Sequence, residues 1–204
     1  MRRPPGLGAV TAACLPLAGV VALRCVAAVQ PAAGDRVLIL GAPGGVGSLA
    51  VQLAAASGAH VIASGRADDT AYLRELGAAD VIEPGGGLIR EVRTRYPGGI
   101  SGLIDLVDYQ PAFLAHAELL VPGGRAASVH RAADEVLLAK RGLHGTNVSS
   151  FPDRALLDQL AGLAANGRLR TEVTGRYTLD QAAAALAAAR DEHTRGKLVI
   201  EMAR

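Results

Sequence analysis

Tryptophan is absent from the sequence, and two phenylalanines and four tyrosines are the only other large aromatics among 204 residues. Any core is therefore built from alanine, valine, leucine and isoleucine. Cysteine is nearly as scarce. Cys14 and Cys25 are too few for a disulfide scaffold, and no CxxC or Cys/His cluster suggests a zinc site. They read as small buried thiols in a reducing compartment. Neither sign of charge dominates: the net charge is +2 and no run of lysine and arginine occurs, which leaves no footprint for nucleic acid.

Catalytic signatures are missing as well. There is no G-x-S-x-G and no G-K-[ST], so hydrolase and P-loop readings fail. None of Tyr72, Tyr96, Tyr109 and Tyr177 has a lysine four residues on, which removes a Tyr-x-x-x-Lys dyad. The five histidines share no metal-ligand spacing, so no metal is expected; His60 and His116 read as structural.

Half of the residues are hydrophobic and 20% are charged, the balance of a globular domain. The length suits one α/β domain with a short appendage. The basic start Met1-Arg2-Arg3 and the uncharged run from Pro4 to Leu23 resemble a signal peptide, and invite a membrane span. Pro4, Pro5, Gly6, Gly8, Pro16 and Gly19 are expected to interrupt any such helix. The run also leads without a linker into the first strand. A cytoplasmic protein with no membrane partner is expected.

Arg36 to Leu40 is a short apolar run ending at glycine, as a strand buried on both faces of a parallel sheet reads. From Val46 the period becomes helical through Leu49, Ala50, Leu53 and Ala54, and Gly58 ends it. His60–Ser64, Asp80–Ile82, Leu103–Val107, Gly124–Val129, Gly142–Val148 and Lys197–Glu201 continue as strands. Helices are expected over Asp69–Leu76, Leu88–Tyr96 and Pro111–Leu120, the last with proline at its first position. Capping-box spacing at Ser150/Asp153 and Thr178/Gln181 announces two more. This alternation predicts an α/β Rossmann-type fold, a doubly wound, mostly parallel sheet with helices on both faces. The expected organisation is a linking helix in residues 1–30, a nucleotide-binding domain in 31–170 and a strand-helix-strand in 171–204.

Gly41-Ala42-Pro43-Gly44-Gly45-Val46-Gly47-Ser48 lies between the first strand and its helix. A pyrophosphate needs free amides at a helix N-terminus, where the dipole favours negative charge. It also needs glycines that let the backbone turn and approach closely. Gly41, Gly44 and Gly47 supply a relative of the dinucleotide fingerprint. NAD-specific domains place an acid after the second strand to hold the ribose 2′-hydroxyl. Here Ser64-Gly65-Arg66 stands there instead: Gly65 leaves room and Arg66 offers a fork of donors to a 2′-phosphate, which favours NADP(H). Asp68 and Asp69 read as helix N-caps. A methyltransferase on the same sheet type is the weaker alternative, since its cofactor also wants the acid.

The chain resembles the medium-chain dehydrogenase/reductase superfamily, in its zinc-independent, quinone-reductase-like branch. The stretches that carry the resemblance are Ala12-Ala13-Cys14-Leu15-Pro16-Leu17-Ala18-Gly19, Gly34-Asp35-Arg36-Val37-Leu38, Gly44-Gly45-Val46-Gly47, Leu76-Gly77-Ala78, Pro122-Gly123-Gly124-Arg125 and Arg195-Gly196-Lys197-Leu198-Val199. Their order runs over nearly the whole chain. The resemblance implies NADPH-dependent reduction of a quinone, enone or similar carbonyl compound by direct hydride transfer without zinc. It places Gly44, Gly45, Val46 and Gly47 on the pyrophosphate, Ser64, Gly65 and Arg66 on the adenosine phosphate, and Val107, Asp108, Tyr109, Ser128 and His130 along the strand ends above the cofactor.

Family members carry an N-terminal GroES-like domain, which is expected to be missing here, and Lys197–Glu201 would normally pair with it. Val21 stands where a threonine is frequent, Asp108 and Tyr109 replace a common glycine pair, and His130 stands near another usual glycine. Tyr109 and His130 are the candidate proton donors. The expected partners are a small molecule and either a second copy of the chain or a separate GroES-like domain. The competing reading is a non-catalytic NADP(H)-binding module, a truncated remnant of such an enzyme.

Overall fold

The structure, a computed structural model, describes residues 3–191 and 193–202. Six parallel strands form the main sheet: β1 (Arg36–Leu40), β2 (His60–Ser64), β3 (Asp80–Ile82), β4 (Ile100–Asp105), β5 (Leu120–Ser128) and β6 (His144–Asn147), in the order β3-β2-β1-β4-β5-β6. The order reverses between β1 and β4, the switch point at which such sheets bind ligands beyond their carboxyl ends.

Both faces of the sheet are covered, and alternation along each strand divides the core in two. Val37, Ile39, Val61, Ala63 and Ile104 point to one face, where α2 (Val20–Val29), α3 (Gly47–Ala56) and α8 (Arg154–Ala165) pack with Leu73 of α4 (Thr70–Glu75). Leu38, Leu40, Ile62 and Leu103 point to the other, against α5 (Leu88–Arg95), α6 (Ala112–Ala117) and α7 (Glu135–Lys140). Gly102 lets α2 approach the sheet, because a Cβ there would stand 2.3 Å from Val29 Cγ1.

The N-terminal segment departs from expectation. α1 (Ala9–Cys14), a π turn (Leu15–Gly19) and α2 form one continuous helix over Ala9–Val29, so Pro16 and Gly19 do not break it. The wide turn absorbs the amide that Pro16 lacks. Gly19 makes room for Leu160 of α8, whose Cδ2 would lie 2.9 Å from an added Cβ. By length and apolarity the helix could cross a membrane, but half of its most apolar window is buried inside the protein. Pro4, Pro5, Gly6 and Gly8 precede the helix, and Met1 and Arg2 of the basic start lie outside the described residues.

Other boundaries shift for local reasons. β5 begins at Leu120, the last residue of the helix expected over Pro111–Leu120, and Pro111 caps α6 instead of opening it. Asp153, not Ser150, caps α8 through Leu156 N–H at 2.8 Å. Pro152 disfavours the helical conformation at Phe151 that the earlier start would need. The Thr178/Gln181 box forms as expected, opening the turn into α9 (Ala182–Asp191). β7 (Val173–Thr178) pairs in parallel with β8 (Lys197–Glu201), so the closing strand has a partner within the chain.

Candidate functional site

A cleft of about 920 Å³ opens along the carboxyl edge of the sheet. Its wall comes from the segments after β1, β2, β3 and β4, from α6, from Val129 after β5, from Leu17 and Val21 of the N-terminal helix and from His193 and Thr194. Of the residues assigned to a cofactor, Gly44, Gly45, Val46, Gly47, Ser64, Gly65, Arg66, Val107 and Asp108 line it; Tyr109, Ser128 and His130 do not. Ser128 is buried and its Oγ accepts the amides of His130 and Ala132, which shapes the turn after β5. Tyr109 is 65% exposed and its ring packs on His130, 4.4 Å between centroids. Both candidate proton donors thus stack on each other outside the cleft wall.

The loop after β1 is built so that only backbone fits at its tightest point. Gly41 adopts φ +75°, and a Cβ on Gly47 would stand 2.1 Å from Gly41 O and 2.6 Å from Ala42 Cα. The first turn of α3 is thereby pressed onto the end of β1. Among the described residues the amides of Val46 and Gly47 donate to no carbonyl, leaving two donors and a helix N-terminus facing the cleft. Gly44 itself is roomier, with Gly41 O at 3.4 Å from an added Cβ.

The end of β2 is organised by an element that local sequence did not reveal. The arm from His193 to Lys197 lies against the glycine loop, with Gly196 N–H donating to Pro43 O at 2.9 Å. Asp69, fully buried, anchors that arm: Oδ1 accepts Arg195 Nε at 2.7 Å, and Oδ2 lies 2.8 Å from His193 Nε2 and 3.1 Å from Arg66 N. Burial alone would raise the Asp69 pKa; its bonds to Arg195 and His193 outweigh that and hold it below the usual value. Capping is therefore one of three tasks for this carboxylate, whose charge is matched by the Arg195 guanidinium of the arm. Gly65 serves packing more than open space, since a Cβ there would meet Leu73 Cδ1 at 2.4 Å. Arg66 is exposed at the rim of the cleft.

At the end of β4, Asp105 Oδ1 accepts the amides of Val107 and Asp108 at 3.0 and 2.9 Å and so fixes the loop. His116, on α6, lines the cleft with Asp108. Its Nδ1 lies 3.2 Å from Asp108 Oδ2 and 3.9 Å from Asp105 Oδ2, in neither case aligned as a hydrogen bond. Burial, and secondarily the Asp108 charge, push the Asp105 pKa up. His116, read as structural from its helix alone, is therefore a cleft residue. The D-x-x-D spacing with a histidine one helix later was the only trace of this grouping in the sequence.

A doubly wound sheet with a glycine-lined helix N-terminus at its switch point defines a nucleotide-binding domain. Residues 58–200 match the family described as zinc-binding dehydrogenase. The chain belongs to that family, as a quinone-reductase-like cofactor-binding domain of the medium-chain dehydrogenase/reductase superfamily. It is 28% identical to the chloroplast envelope quinone oxidoreductase homolog of Arabidopsis thaliana over 98% of this chain and 64% of that protein. The quinone oxidoreductase of Coxiella burnetii superposes with a TM-score of 0.88 at 28% identity, covering 100% of this chain and 64% of the other. AibC gives a TM-score of 0.85 at 30% identity over 100% and 63%. The chain thus spans just under two thirds of these relatives.

Two of these relatives are quinone oxidoreductases by name. The loop of this chain fits a dinucleotide diphosphate: it offers two unbonded amides, and the close approach at Gly47 excludes any side chain. Zinc, named in the family description, meets no thiolate at the cleft, since Cys14 and Cys25 are buried on the N-terminal helix. Among the described residues two other groups could hold a cation, Asp68–Asp69–His193 and Asp105–Asp108–His116. The first is already closed by Arg195.

Proposed function

We propose that the chain is the cofactor-binding part of an NADPH-dependent oxidoreductase acting on a quinone, enone or related carbonyl compound. The observation that carries this reading is the pairing of the glycine loop with a β2 end that presents Arg66 while its acid, Asp69, is neutralised from the arm. An unmatched carboxylate there would repel a 2′-phosphate. A charge-assisted bond from Arg66, about 1.5–3 kcal/mol, would favour NADPH over NADH by about ten- to a hundredfold.

The Val46 and Gly47 amides bind the diphosphate, and Ser64 and Arg66 orient the adenosine end. Val107 and Asp108 border the middle of the cleft, and Leu17, Val21 and Val129 form an apolar wall that excludes water. When bound, the nicotinamide would supply the hydride for direct, zinc-independent reduction of the acceptor. The stacking of Tyr109 on His130 away from the cleft favours one alternative, a module that binds NADP(H) without turnover.

Isothermal titration tests the cofactor, and a turnover assay separates enzyme from module. NADPH is expected to bind at least about tenfold tighter than NADH, and Arg66→Ala to abolish the difference; equal affinities in the parent chain would refute the NADP(H) assignment. Loss of NADPH absorbance with a small quinone supports the enzyme, and binding without turnover supports the module. The same proposal places the protein in the cytoplasm. It also gives the protein a partner, a second copy or a GroES-like domain, over exposed Leu179, Leu186, Ile200 and Met202. A monodisperse monomer in sedimentation would remove the self-association.

A further inference from the structure

We propose that Asp105, Asp108 and His116 form a binding site for one divalent transition-metal ion, of the Zn²⁺ or Co²⁺ type, at the carboxyl end of β4. The two acid–histidine groups at this edge of the sheet contain the same residue types but differ in how their charge is met. Around Asp69 both carboxylate oxygens are bonded, and Arg195 supplies the cation. Around Asp105 no lysine or arginine among the described residues forms an ion pair with the cluster. Asp105 is fully buried, yet its Oδ2 has no hydrogen-bond partner, and His116 Nδ1 is buried without one beside it. A buried carboxylate oxygen and imidazole nitrogen left facing each other are costly unless something shared satisfies both.

The donor set and its spacing fit a small ion. One ligand atom from each of Asp105, Asp108 and His116 lies within 4.8 Å of the other two. Tetrahedral coordination at about 2.0–2.2 Å separates ligand atoms by about 3.3–3.6 Å. The two separations from Nδ1, 3.2 and 3.9 Å, need only small side-chain rotations to meet it. One imidazole with two carboxylates suits zinc, cobalt or manganese, while the absence of a thiolate from the set disfavours copper(I). Asp105 is preorganised for the role, because the loop amides of Val107 and Asp108 already hold its other oxygen. Asp108 and His116 face the cleft, so the remaining coordination position is open to water. The site does not depend on which dinucleotide the cleft accepts.

The test uses the full chain, stripped with a chelator and without dinucleotide. Titration with Zn²⁺ in a calorimeter, and with Co²⁺ followed by its visible d–d bands, is expected to give one saturable site. Asp105→Asn keeps the Oδ1 acceptor for the loop, and His116→Gln keeps a polar side chain on α6. Each is expected to weaken binding by at least about tenfold, while His193→Gln, in the other cluster, leaves it unchanged. Should His116→Gln not fold, Asp108→Asn takes its place. No saturable binding in the parent, equal binding in the cluster variants, or loss through His193→Gln would each overturn the assignment.

Discussion

Gly47→Ala is the sharpest probe of the glycine loop. The added methyl would stand 2.1 Å from Gly41 O, 2.6 Å from Ala42 Cα and 2.7 Å from Ala42 O, all backbone atoms that no rotamer change can move aside. Ordinary carbon contacts need about 3.5 Å, so the first turn of α3 must retreat by about 1 Å. Overpacking of this kind costs about 1–3 kcal/mol, which in a chain of this size lowers Tm by about 3–10 °C. The same displacement withdraws the Val46 and Gly47 amides from a bound diphosphate. Losing even one charge-assisted bond of about 1.5 kcal/mol weakens binding about tenfold. Gly44→Ala is the control, because its methyl meets only Gly41 O at 3.4 Å; its Tm should stay within about 2 °C of the parent. Scanning calorimetry and NADPH titration read both effects. A Gly47→Ala chain that melts and binds like the parent would refute the claim that backbone contact sets this loop.

Three further outcomes follow from other parts of the structure. Asp69→Asn should lose about 2–3 kcal/mol at neutral pH, less than a fully buried pair because Arg195 is about one-third exposed. The Asp69 pKa is depressed in the fold, so its stabilisation is complete above the ordinary value near 3.8 and is lost as pH falls through the lower folded value. Urea melts across that acid range should therefore show a flatter decline in the variant. Gly162→Ala, in the middle of α8 with nothing within 4 Å of the new methyl, should gain about 0.5–1 kcal/mol in the same melts. Cys25 is fully buried with its thiol pushed up to about 12, and burial also raises Cys14; neither should react with a disulfide reagent at mildly alkaline pH until denaturant is added.

What could be read from the sequence was whatever is local and periodic. β1 and β2 announce themselves as apolar runs because both faces are covered, and the loop after β1 is recognisable because its chemistry is spent within eight residues. α7 was missed: it has six residues and buries only Leu138, too little for a helical period to register. The proline in the N-terminal helix was read as a break because propensity describes an isolated helix, whereas packing of Gly19 on Leu160 sustains this one. The role of Gly65 was misjudged for a similar reason, since the neighbour that fills its space, Leu73, comes from the next helix.

The end of β2 shows why the rest was out of reach. Arg195 stands 126 positions from the Asp69 carboxylate it pairs with, so no spacing rule could join them. Yet that pair decides the charge that a 2′-phosphate would meet. Seen alone, Asp69 counts against NADP(H); neutralised by Arg195 and held by His193, it leaves Arg66 as the exposed charge on the rim. The fastening is also mechanical: Gly196, at φ +60°, has room for no methyl because Glu172 O would lie 2.4 Å away, and its amide ties the arm to Pro43. The glycine loop and the adenosine end are thus held by one segment from the far end of the chain. Loosening that segment should cost dinucleotide affinity even though His193 and Thr194 are its only residues on the cleft wall.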